Sequence, residues 1–150
     1  LQTIEAAVGL NPFVLGKAHG PEPRFFVVGD EPLTKDLATG QPFSGPLGEV
    51  LVNTLATLEQ KYGPCADKVY ATYLVKAAYP KGQVSEEIVI RDWLPIAQTE
   101  YQLSGCEMVV CVGRVAKMFA HAISAKPKMF QDLKPTLGQR ARDLWSNFLR

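Results

Sequence analysis

The sequence predicts an α/β fold, a three-layer α/β/α sandwich around a short, mainly parallel, four-stranded sheet. Three observations predict it. The runs RFFVVG (24–29), VYATYLV (69–75) and CEMVVCV (106–112) are short and rich in β-branched or aromatic residues. The first and third are almost wholly apolar, as strands buried on both faces must be. Helix-length amphipathic stretches lie between them, and strands alternating with helices imply right-handed crossovers onto a parallel sheet. Finally, 150 residues at 47% hydrophobic content suffice for one compact domain with a real core.

The elements follow in order. Residues 1–23, LQTIEAAVGLNPFVLGKAHGPEP, read as a helix or turn with a Pro/Gly-rich entry, packed on the edge of the domain formed by 24–150. The stretch 48–63 carries Val50, Leu51, Thr54, Leu55 and Leu58 on one helical face. In 85–103, Ser85 is placed to cap a helix with acidic residues in its first turn, and Pro95 is expected to kink or break it. A third helix begins just after Gly113, with Val115, Ala116, Phe119 and Ala120 inward. KMFQDL (128–133) is the fourth strand, and 137–149 reads as a closing helix with Ala141, Leu144, Trp145 and Phe148 at helical spacing.

Composition excludes several classes. No apolar run approaches the roughly 18 residues that span a bilayer, and no basic segment precedes an apolar one at the start, so neither membrane nor secretory signals are expected. The expected location is the cytoplasm, at the bacterial nucleoid. The chain begins at Leu1 rather than Met, which leaves a processed form and an excised domain both open. Cys65, Cys106 and Cys111 are an odd three without CxxC or histidine spacing, so no metal site and no disulfide framework is expected. Cys106 and Cys111, five apart in one expected strand, should point to opposite faces. Net charge is +1 but unevenly spread: residues 1–112 sum to −5 and residues 113–150 to +6. That basic quarter is either a phosphate-facing surface or a solvated helix face.

Ligands in such folds sit beyond the carboxyl ends of the strands, here the turns 29–45, 76–83, 113–117 and 133–137. Those turns carry a resemblance. VVGDEPLTKDLATGQPFSGPLGEVL (27–51), DKVYATYLVKA (67–77) and CEMVVCVGRVA (106–116) resemble, in order, the uracil-DNA glycosylase superfamily, and within it the iron–sulfur type of family 4. Its pattern runs G-E-x-P-G, D, G-x-P-F-x-G, then V-Y-I-T-N-x-V-K-C, then a strand ending in L-G. The resemblance covers roughly residues 24–149 and implies an enzyme that flips a base and stacks it on an aromatic ring. Phe43 matches that ring, and Gly29, Pro32 and Tyr73 match the rest of the base pocket. Asp30 and Glu31 match the water-positioning acids. Gly45 and Gly48, opening a helix, match phosphate-facing backbone. With them, Arg114, Lys117, Thr136, Arg140 and Arg142 form the expected DNA-phosphate rim.

The chain departs from the pattern where the chemistry is done. Leu33 stands where the family has a glycine against the ligand. Tyr73 stands for the asparagine that reads the uracil edge, and a phenol lacks the paired donor and acceptor of a carboxamide. In LKPTL, Lys134, Pro135 and Thr136 stand for the histidine–proline–serine loop. Ala77 and Val89 stand at cluster-cysteine positions, and residues 1–23 hold no cysteine pair, so no iron–sulfur cofactor is expected. His19 and His121 fall outside the matched motifs.

Three functions stay open. One is a diverged, non-catalytic glycosylase-fold protein of DNA repair or replication, binding DNA weakly and salt-sensitively or binding a DNA-maintenance protein. The second is a structural subunit like the psi subunit of the bacterial replicative clamp loader. The third is an active glycosylase of altered base specificity using Asp30, Glu31 and Lys134. The discriminating feature is the space around Phe43: an enzyme needs it open and polar, whereas a scaffold can fill it with Tyr73 or Leu33 and expose an apolar patch instead.

Overall fold

The structure, a computed structural model, describes residues 12–80 and 83–123, and the backbone of a strand at 128–131. The sheet has five strands, β1 (Lys17–His19), β2 (Phe25–Gly29), β3 (Val69–Tyr73), β4 (Met108–Val112) and β5 (Lys128–Gln131), in the order β1-β3-β2-β4-β5. Strands β2 to β5 pair in parallel as expected. β1 is the correction to the expected four strands: it lies inside the segment read as a helix or turn and joins the edge antiparallel to β3. Its three residues, Lys-Ala-His, carry no apolar run, and both Lys17 and Ala18 are exposed, so periodicity had nothing to register.

Helices cover both faces. On one side α1 (Thr34–Thr39) and α2 (Pro46–Tyr62) pack Leu37, Val50, Leu51 and Leu58 against Phe25, Val27, Val69, Ala71, Met108 and Val110. On the other, α3 (Glu86–Ile88), a π-helical turn (Val89–Trp93), α4 (Leu94–Ser104) and α5 (Lys117–Ala122) bring Val89, Trp93, Ala97 and Phe119 onto Phe26, Val28, Val109 and Cys111. The alternation along β2 and β4 divides the side chains between the two cores, and each residue of both strands is buried.

Ser85 caps α3 as expected, its hydroxyl accepting from the Ile88 N–H at 3.1 Å. Pro95 lies in the first turn of α4, and the break falls just ahead of it as the π-helical turn, where a proline without an N–H is tolerated. The turn 114–116 delays α5 to Lys117. Cys106 corrects a second expectation. It precedes β4 instead of lying in it, and it packs in the same core as Cys111. All three cysteines are buried and free. The closing helix expected at 137–149 lies outside the described residues.

Candidate functional site

The carboxyl ends of β2, β3 and β4 meet at Gly29, Tyr73 and Val112, which are register neighbours. Gly29 offers no side chain to the α2 face, and two aromatic rings fill the space above it. A Cβ there would stand 2.9 Å from Tyr73 and 3.0 Å from Phe43. The Phe43 and Tyr73 rings stack on one another, centroids 4.8 Å apart at 23°. Both are buried, Tyr73 completely.

Polar bonds lock this stack. Phe43 sits at φ 58°, a left-handed backbone that bulky residues rarely adopt and that surrounding contacts must hold in place. Its N–H donates to the Tyr73 hydroxyl at 3.0 Å, and that hydroxyl donates in turn to Asp36 Oδ2 at 2.7 Å. Asp36, fully buried, also accepts from the Leu33 N–H at 2.9 Å, the Ser44 N–H at 2.8 Å and the Ser44 hydroxyl at 3.0 Å. Four donors therefore fill the lone pairs of one carboxylate. Burial, and then the bond to Asp36, push the Tyr73 phenol far above its ordinary pKa, so it stays a neutral donor. Gly48, on the first turn of α2, lets the helix approach the loop: a Cβ would stand 2.4 Å from the Phe43 carbonyl oxygen, with no room for it.

The remaining sequence-predicted residues surround this core. Asp30 Oδ1 accepts from the Ala116 N–H at 2.7 Å, tying the end of β2 to the turn between β4 and α5. Burial raises its pKa, opposed by the N–H groups of Ala116, Val115 and Arg114 and by the Arg114 charge. Glu31 is raised as well, first by burial and then by Asp30. Pro32 is buried, whereas Leu33 is exposed and fills nothing, so of the two residues expected to close the pocket only Tyr73 does so. Gly45 precedes α2 as its N-cap. Arg114 is exposed and Lys117 half-buried, both on the segment leaving β4. Lys134, Thr136, Arg140 and Arg142 lie outside the described residues.

Tyr73, expected beside Phe43 as a base-binding group, instead covers the face of the ring that a base would use. Asp36 was missed as a site residue. The signal for it is its place at the third position of α1, three residues after Leu33, where an acid reaches back to the N-cap amide. Among the described residues no group of three or more His, Cys, Asp or Glu side chains is placed to hold a metal ion.

The family comparison covers these elements together. The model described as Uracil DNA glycosylase superfamily matches residues 17–145, from edge strand β1 through the Phe43 loop and beyond β5. No curated protein matches the chain. A match over most of the length, on an α/β fold whose strand ends converge on Gly29 and Phe43, means that the chain belongs to the uracil-DNA glycosylase superfamily.

Proposed function

We propose that this member of the superfamily excises no uracil and serves DNA repair or replication by binding DNA. The observation that carries the reading is the Tyr73 ring stacked on Phe43. A flipped base needs that aromatic face and a polar group to read its edge. Admitting one here means displacing a fully buried tyrosine whose hydroxyl has two partners. Losing the polar groups that read a substrate defeats selection more thoroughly than losing an apolar contact.

The basic side of the reading rests on Arg114 and Lys117, beside the carboxyl end of β4, and on the +6 charge of residues 113–150. Binding through them, joined by Lys134, Arg140 and Arg142, is independent of base sequence and steeply salt-dependent. Three or four phosphate contacts give a slope of roughly −3 to −4 in log K against log salt. The proposal includes no iron–sulfur cluster, because Ala77 and Val89 stand where the resemblance has cysteines. Iron analysis after anaerobic purification tests that part.

Labelled oligonucleotides containing uracil, hypoxanthine or xanthine, followed by cleavage at abasic sites, test the main claim. Turnover that Asp30→Asn abolishes overturns it in favour of an active glycosylase. Salt titration of labelled single- and double-stranded DNA, beside Lys134→Ala and Arg140→Ala, tests the rim, and binding indifferent to both variants defeats it.

A second reading, the structural subunit, is favoured by one observation. Leu15, Ile96 and Leu103 are exposed along a groove beside α4, an apolar surface of the kind that partners cover.

A further inference from the structure

The groove lies on the face of the sheet opposite the Phe43 loop, between α4 and the segment entering β1. It encloses about 620 Å³. Its walls are Leu15, Pro95, Ile96 and Leu103, and its floor is the ion pair Lys76–Glu100. The most prominent side chain is Leu103, 83% exposed, one helical turn beyond Glu100; Leu15 is 67% exposed and Ile96 48%. Concave wall and projecting leucine thus belong to a single patch.

The charges decide what fits. Glu100 is the sole charged residue of α4, and Lys76 Nζ matches it at 2.8 Å. The Tyr70 hydroxyl also donates to Glu100, at 2.6 Å, and Lys76 donates to Thr72 as well, at 3.0 Å. The floor is therefore neutral and internally satisfied, with nothing left to attract a charged ligand. Lys17, the nearest charge on β1, pairs in register with Ala71, which faces the other core, so its side chain belongs to the far side of the sheet. A solvated helix face ordinarily carries charges; the outer positions of this one are Pro95, Ile96, Thr99, Gln102 and Leu103.

We propose that the occupant is a second copy of this chain, in a twofold dimer with Leu103 of each copy seated in the groove of the other. A twofold contact sets the same patch against itself, so any net charge in it would meet its own like. This patch has none, while its knob and its hollow are side by side, and both are the conditions that an isologous interface requires. Apolar contact between the two α4 faces supplies the driving force. The assignment is independent of base excision and of DNA binding. A dimer would also account for the exposed residues that favour the structural-subunit reading.

Sedimentation equilibrium of the full chain over a range of concentrations is the test, with Leu103→Asp and Ile96→Asp as variants. Both positions are exposed, so circular dichroism and melting of the variants should match the parent. The expected result is a monomer–dimer equilibrium weakened roughly tenfold or more by either aspartate, which sets two like charges across the seam. A monomer at every concentration overturns the proposal, whether residues 1–11 or a different protein covers the groove. A dimer that both substitutions leave unchanged overturns it equally, because its interface then lies elsewhere. Loss of DNA binding in the same preparations bears on the proposed function and not on this assignment.

Discussion

Phe43 and Tyr73, thirty residues apart in the chain, stack ring on ring at 4.8 Å and share a hydrogen bond from the Phe43 N–H to the Tyr73 hydroxyl. One residue supplies the strained turn and the other holds it, so neither can be changed without the other feeling it.

Tyr73→Phe is therefore expected to destabilise the fold by about 1–3 kcal/mol, since it strands a buried N–H and removes one of the four donors to Asp36. Urea unfolding should show a lower midpoint with an unchanged slope. An unaltered midpoint would mean that the hydroxyl contributes nothing to holding the loop.

Gly29→Ala tests the packing beneath the rings. The added methyl meets Tyr73 at 2.9 Å and Phe43 at 3.0 Å, tighter than ordinary contact, so a loss of about 1–3 kcal/mol is expected. Tyrosine fluorescence in the native state should shift as well, because the stack must move to admit the methyl.

The pH dependence of stability carries a sign that Asp30 sets. Burial raises its pKa above the ordinary 3.8, so the folded chain holds this proton more tightly than the unfolded one. That stabilisation is complete below the unfolded value and is lost as pH rises through the folded one. Glu31, raised by burial and by the Asp30 charge, acts in the same direction. Asp30→Asn should then flatten the fall in stability between about pH 4 and about pH 7, read as urea midpoints across a pH series. A steeper fall in the variant would contradict the assignment.

Asn53 offers a gain. It is buried in α2, and among the described residues its Nδ2 has no hydrogen-bond partner. Asn53→Leu should raise stability by about 1–2 kcal/mol by removing an unsatisfied polar group. A drop would show that the amide is bonded after all.

The sequence was most legible where burial repeats along the chain. β2, β3 and β4 announced themselves because residues buried on both faces leave continuous apolar runs, and α2 did so because Val50, Leu51, Thr54 and Leu58 recur on one face. β1 and α1 were not legible: three polar-flanked residues at an edge and six residues inside a loop are too short for periodicity to show. At the site, the resemblance picked out Phe43 and Tyr73 as neighbours. Their stacking was not legible, because it depends on Gly29 and Tyr73 being register partners across two parallel strands. Asp36 was hidden for a similar reason, since three of its four donors come from residues 33 and 44 of a loop that closes only in three dimensions.

The hydroxyl of Tyr73 also limits how this chain can change over generations. A single substitution that clears the ring from Phe43 removes the partner of the Phe43 N–H and one donor from Asp36 together. The pocket would open in a protein already weakened at the loop that forms it. A lineage moving toward base excision would have to acquire a new support for that loop first, so the route passes through compensating changes and not through position 73 alone.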